Sequence, residues 1–256
     1  MADNNNYRIN VLDKGYVQLK RVSADIDLEG SAGLTPVSDL DAVSDARVST
    51  ARDAITFGPH EKRTLGFLLK EEHTSPFRGT VVTIEVKAPL FVARQMWKYC
   101  IGHEHDETFT RDPFLSWSEL SRRYVDEEPE FYIPDEWRTA PERRSQGSGP
   151  SFDRTTSDLW SHELAVHAEM GMHMYKEALR KDVCAEQARL FLPAYAMYTT
   201  WRWTSSLQGV CHFLKQRLAH DAQTEIRQYA NAVKELTVPI FPITIERMSA
   251  TKDQAQ

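Results

Sequence analysis

The sequence is short of most features from which a function is usually read. Cysteine is scarce: Cys100, Cys184 and Cys211 stand far apart, which gives neither a disulfide framework nor a zinc pattern and suits a reducing compartment. No apolar run approaches the length of a membrane span, and the opening MADNNNYRIN has no apolar signal core. A soluble, cytoplasmic protein is therefore expected. Acidic residues are only slightly in excess. Net charge is −6 with a pI near 5.9, and lysine and arginine are spread along the chain. That excludes a surface that coats nucleic acid and leaves a small phosphorylated ligand open. There is no Gly-rich phosphate loop of either common type and no Gly-x-Ser-x-Gly elbow.

What is present is ample apolar material: 41% hydrophobic residues over 256 positions, enough for one sizeable core or at most two small domains. A single domain over 1–256 is expected. Residues 9–12 and 16–19 flank Asp13-Lys14-Gly15, the pattern of a hairpin. Residues 23–36 are polar, hold Gly30 and Gly33, and read as a loop. Short helices are predicted over 40–48 and 61–72, the second broken at His73-Thr74-Ser75-Pro76-Phe77. Residues 80–87 alternate, with Val82, Ile84 and Val86 on one side, and predict a half-buried strand. Pro89 can open a helix as its first residue.

Residues 102–114 read as an inserted loop and 139–154 as the most linker-like stretch. A long helix follows over 157–179 with a rough stripe of Leu159, Leu164, Val166, Met170, Met174 and Ala178. Next come a short helix over 185–192 and a Thr- and aromatic-rich strand over 196–204. Two amphipathic helices end the pattern. Leu207, Val210, Cys211, Leu214 and Leu218 make one stripe; Ala222, Ile226, Tyr229, Ala230 and Val233 make the other. Helices outnumber strands without alternating with them, so the class is α+β.

Residues 94–124 concentrate chemistry. Arg94 and Gln95 lead an aromatic run, and the segment closes on Ser118-Glu119-Leu120-Ser121-Arg122-Arg123-Tyr124. Hydroxyls beside guanidinium forks suit a phosphate monoester. The same residues also read as an exposed helix with ion pairs. His103-x-His105-Asp106 reads as a solvated turn, so no metal is expected. His162, His167 and His173 do not stack on one helix face, and Cys211, on an apolar stripe, reads as an inert thiol. Arg189 and Arg217 each lie close to an apolar stripe and need a carboxylate or an anionic ligand.

Taken in order, several of these motifs resemble the flavin-dependent thymidylate synthases (ThyX). They are Leu12-Asp13-Lys14-Gly15, Ala46-Arg47-Val48-Ser49, Ser75-Pro76-Phe77 and Ala88-Pro89-Leu90-Phe91-Val92-Ala93-Arg94-Gln95. Glu119-Leu120-Ser121-Arg122-Arg123-Tyr124, Ala188-Arg189-Leu190-Phe191-Leu192-Pro193 and Phe213-Leu214 with Arg217 continue the match. The resemblance implies an antiparallel sheet flanked by helices, assembled as a homotetramer with active sites built from several subunits. It implies FAD, with NADPH to reduce it and methylenetetrahydrofolate as carbon donor; the reduced flavin gives a hydride to C6 of a uracil ring. Gln95, Glu119, Ser121, Arg123 and Arg189 match nucleotide-binding positions. Arg217 matches an arginine that faces the pyrimidine and is the expected catalytic residue. Ser49, His73 and Ser75 match flavin-side positions, and Tyr99, Gln208 and His212 occupy flavin positions without matching the family's residues.

The departures cluster on that flavin side. The family's Arg-His-Arg is here Lys98-Tyr99-Cys100, a flavin-side acid is Arg78, and an Asn-x-Arg is Ser206-Leu207-Gln208. A branch that departs in this way is the UMP C5-methylase of polyoxin-type nucleoside antibiotic biosynthesis, and the chain resembles it. The resemblance thus implies C5 methylation of UMP, ahead of dUMP. An ordinary dUMP-directed synthase, an inactive nucleotide-binding protein and a hydroxymethylating relative stand as alternatives. No nucleic acid or membrane partner is implied.

Overall fold

A computed structural model describes residues 7–26, 34–50, 56–101, 116–121, 127–142 and 147–250. The Asp-x-Gly turn joins β1 (Arg8–Val11) to β2 (Gly15–Val22), with Leu12 at φ 60° making the reversal. β2 pairs with β5 (Val81–Pro89), and β5 with β7 (Tyr198–Ser206) in an unbroken ladder from Val81–Ser206 to Pro89–Tyr198. β6 (Ser116–Glu119) closes the far edge, giving the antiparallel order β1-β2-β5-β7-β6.

Several expectations are corrected. Within 23–36, β3 (Ala24–Ile26) pairs with β4 (Leu34–Pro36); backbone pairing there does not need the apolar alternation by which strands are read. Thr83 on β5 is buried along with its apolar neighbours, because the Thr204 hydroxyl meets its own at 3.0 Å. The strand is therefore covered more fully than a half-buried one. Pro89 ends β5 rather than opening the next helix. Residues 116–119 form a strand, where the sequence also allowed a helix. The inserted loop at 102–114 lies outside the described residues.

Helices α1 (Asp39–Arg47), α2 (Pro59–Lys70) and α3 (Leu90–Ile101) form close to the predicted limits. So do α6 (Leu207–Arg217) and α7 (Thr224–Thr237), whose stripes hold Leu207, Val210, Leu214, Ile226, Tyr229 and Val233 almost wholly out of water. Trp203 of β7 meets Phe213 of α6 edge-on, with ring centroids 5.4 Å apart. A further helix, α8 (Pro242–Met248), was not anticipated. Its start is capped from afar: the buried Asp39 carboxylate accepts from the backbone N–H of Ile243 at 2.7 Å and of Thr244 at 3.2 Å.

The long helix α4 (Arg154–Arg180) departs most from expectation. Most of its apolar stripe stays outside the core; of the stripe only Ala178, near its end, is buried. Leu159, Trp160, Val166, Met170 and Met174 are exposed, Met170 by 63%. The buried positions are Ser157, Ala168, Gly171 and Ala178. At Gly171 the chain needs the missing side chain, since a Cβ would lie 2.6 Å from the Phe191 carbonyl oxygen. That notch lets α5 (Ala185–Ala188) and the following 3-10 turn (Arg189–Phe191) dock on α4. The stretch around 139–154 is no free linker: Arg138 bridges to Ser151, and Thr139 exchanges backbone bonds with Gly149 and Pro150.

Gly15 marks the tightest point of the sheet. Tyr229 of α7 reaches across it to donate to the Lys87 carbonyl at 2.9 Å. A Cβ on Gly15 would stand 2.0 Å from that hydroxyl and 2.7 Å from the Lys87 and Val11 oxygens. Gly15→Ala is expected to cost at least about 2 kcal/mol, read as a fall in Tm of roughly 4–8 °C. An unchanged Tm would show that α7 does not rest on this contact.

Candidate active site

The first cluster of chemistry lies at the start of β5. α2 ends where the His73 N–H bonds the Leu68 carbonyl at 2.9 Å, and Pro76 sits inside the 3-10 turn Ser75–Phe77. His73 packs edge-on against Phe67, centroids 5.5 Å apart. His73, Thr74, Ser75 and Arg78, with Asp45 of α1 and Glu72, line a cavity of about 510 Å³. Ser49 lies beyond the end of α1, its hydroxyl donating to the carbonyl of Ala46, another cavity residue.

Arg78 ties this cavity to the far end of the chain. Its Nε donates to Gln208 Oε1 at 2.8 Å, and its Nη2 to Thr74 Oγ1 at 3.0 Å. Gln208 is buried in the first turn of α6, which Ser206 caps by accepting from the Gly209 N–H at 3.1 Å. His212, one turn further along α6, is half-buried. So His73, Ser75 and Gln208 come together, with Ser49 near the rim. Tyr99 is on α3, but its side chain lies outside the described residues, as does the whole of Arg123.

The second cluster lies between α3 and β6. Leu90, Ala93, Arg94 and Trp97 of α3 face Trp117 and Glu119 of β6 across a cavity of about 110 Å³. The Glu119 carboxylate is doubly held, accepting from the Thr199 hydroxyl at 2.8 Å and from the Trp117 indole at 3.0 Å. Trp117 in turn stacks on Trp201, 4.6 Å between centroids and 16° between planes. A carboxylate gripped by two donors keeps one orientation. Ser121 follows directly, after the Leu120 N–H bonds the Thr200 carbonyl at 2.8 Å. Gln95 donates from Nε2 to Gln223 Oε1 at 2.5 Å, which holds α3 against the start of α7. Arg217 ends α6, half-buried.

Arg189 is not drawn into either cluster. It stands exposed on the 3-10 turn over α4, next to Leu190, which is 81% exposed. Cys211 is 1% exposed, and burial, then the charge of Asp39, pushes its thiol far above the usual range. That fits the inert thiol the sequence suggests. Sequence reasoning missed Trp117, Thr199 and Gln223 as supports. The Trp117-x-Glu119 spacing would have paired the two side chains on one face had β6 been read as a strand. Among the described residues no three His, Cys, Asp or Glu side chains gather as a metal site would require; His103, His105 and Asp106 lie outside them. Nor is any described helix long and apolar enough to cross a membrane.

Residues 33–243 match the family model described as thymidylate synthase complementing protein. The chain is 34% identical over 236 residues to the flavin-dependent thymidylate synthase of Thermus thermophilus, covering 92% of this chain and 76% of that protein. It is 32% identical to the enzyme of the same name from Thermosipho africanus, covering 92% and 91%. Among solved structures, a UMP/dUMP methylase PolB from Streptomyces cacaoi bound with 5-Br dUMP superposes with a TM-score of 0.74 at 24% identity. That match covers 95% of this chain and 98% of the other. The same protein bound with 5-Br UMP gives 0.71. The α+β fold is shared with that methylase, and by sequence the chain belongs to the flavin-dependent thymidylate synthases.

Proposed function

We propose that this protein is a flavin-dependent methylase of the C5 position of a uridine 5′-monophosphate, with UMP preferred over dUMP. One observation carries the nucleotide assignment: Glu119, locked by Thr199 and Trp117 beside Arg94 and Trp97, presents a fixed acceptor next to Ser121. In this reading Ser121, Arg123 and Arg189 hold phosphate and base, and Gln95 braces the site. Arg217 faces the pyrimidine, where a guanidinium stabilises the negative charge that develops as C5 becomes nucleophilic. No thiol is required, consistent with Cys211 sealed in the core.

The cavity around His73 and Ser75 suits a flavin nucleotide. It is about 510 Å³ and offers an imidazole, hydroxyls and the Arg78 guanidinium. FAD, when bound and reduced at the expense of NADPH, supplies the hydride, and methylenetetrahydrofolate the carbon. The rewritten segment around 98–114 is where tolerance of a ribose 2′-OH is to be sought, since a buried hydroxyl needs both room and a partner. Service in nucleoside antibiotic biosynthesis belongs to the same reading.

A homotetramer completes it. The apolar side chains along α4, with Trp160 48% exposed, and the outlying Arg189 beside Leu190 suit a surface that another copy covers. Arg189 would then enter a neighbouring copy's site. A second reading, a thymidylate synthase acting on dUMP, is favoured by the names of the sequence relatives, which are flavin-dependent thymidylate synthases.

Purified protein supplied with FAD, NADPH and methylenetetrahydrofolate, and offered UMP and dUMP together, is expected to give mainly 5-methyl-UMP by product mass. Thymidylate alone would favour the second reading. Arg217→Lys is expected to lower kcat by on the order of 10²-fold while leaving nucleotide affinity within a few-fold; equal losses in kcat and affinity would make Arg217 a binding residue. Light scattering in line with gel filtration should give the mass of four chains, and Met170→Glu a smaller species. A monomer at all concentrations would refute the shared site.

A further inference from the structure

We infer that the slot between α3 and β6 takes the ribose of the nucleotide, and that Arg94, opposite Glu119, sets the preference for a 2′-hydroxyl. The assignment rests on the nucleotide reading given above and goes beyond it by naming the residues that meet the sugar.

Three observations carry it. The slot holds about 110 Å³, the scale of one small ring, since an apolar cavity of about 150 Å³ takes up benzene. Its walls are two indoles: Trp97, which is 37% exposed, and Trp117, stacked on Trp201. Thirdly, its charged lining is one guanidinium and one carboxylate that do not pair with each other. The Glu119 carboxylate accepts from the Thr199 hydroxyl and the Trp117 indole, which fix it. The Arg94 side chain joins no hydrogen bond or ion pair among the described residues; its guanidinium lies over the Trp97 ring, 5.3 Å from the centroid.

These two charges select the ligand. Arg94 only donates and Glu119 only accepts, so the group between them has to do both and carry no charge. A phosphate accepts only, and Glu119 repels it. The uracil edge donates and accepts, but a carboxylate at its N3–H would oppose the negative charge that Arg217 is there to stabilise. A ribose fits: its ring carbons offer apolar surface to the indoles, and each hydroxyl both donates and accepts. Two neighbouring hydroxyls engage Arg94 and Glu119 together. The single hydroxyl of a deoxyribose engages one of them and leaves the other without a partner, which is how a site rejects an analogue that lacks a group.

The test is calorimetric titration of UMP and of dUMP into the protein with FAD present and methylenetetrahydrofolate withheld, so that nothing turns over. Arg94→Met keeps an apolar stem beside Trp97 and removes every donor. It is expected to weaken UMP about tenfold and dUMP less than about twofold, so the preference narrows roughly fivefold or more. Trp97→Ala should weaken both nucleotides alike, because the indole meets the ring and not its hydroxyls. Equal losses for UMP and dUMP in Arg94→Met overturn the sugar assignment, and so does unaltered binding of both. A Trp97→Ala variant that binds both as the wild type does overturns the slot as their site. Wild-type protein that binds neither nucleotide overturns the nucleotide reading itself, which is a distinct result.

Discussion

The pairing of β5 with β7 is the constraint on which the other parts depend. Its ladder runs without a break from Val81–Ser206 to Pro89–Tyr198, so the polar backbone of both central strands is satisfied there. Each strand runs straight into a helix, and each helix start is tied back to the opposite strand. The Leu90 N–H bonds the Met197 carbonyl, and the Leu207 N–H bonds the Thr80 carbonyl. A slip of one residue would turn Val82, Ile84 and Val86 away from the core and carry α3 and α6 with them. The cavity beside Arg78 lies at one end of this pair. Glu119, whose partner on β7 is Trp201, lies on the order of 17 Å along the strand from Ser206.

Much of this architecture was legible in residue order. The hairpin at Asp13-Lys14-Gly15, the alternation in β5 and the stripes of α6 and α7 each obey a local period that burial enforces. Where burial is absent the signal fails. β6 is four residues at an edge, and its Ser-Trp-Ser-Glu carries little apolar pattern. The pairing of β3 with β4 depends on partners, not on composition. α4 misled in the opposite sense: its stripe is real, yet most of it points outward, because a helix records that a face is apolar and not what covers it.

The site divides in a similar way. Residue types along 94–121 mark the side proposed for the nucleotide, since acceptors and cations gather there in sequence. The cavity around His73 could not be assembled from order alone. Arg78 and Gln208 are 130 residues apart, and each reads by itself as an ordinary polar residue. Their contact links two of the positions that the sequence resemblance reads as departures on the flavin side. In the fold, Arg78 and Gln208 therefore form one junction.

The stacked indoles of Trp117 and Trp201 have an optical consequence. Rings 4.6 Å apart and 16° from parallel share excited states, so the edge strand carries its own chromophore pair in the near ultraviolet. One member of that pair also donates to Glu119. Any ligand that draws on this carboxylate perturbs the coupled indoles, and β6 reports occupancy of the adjoining cavity in the circular dichroism of the unlabelled protein.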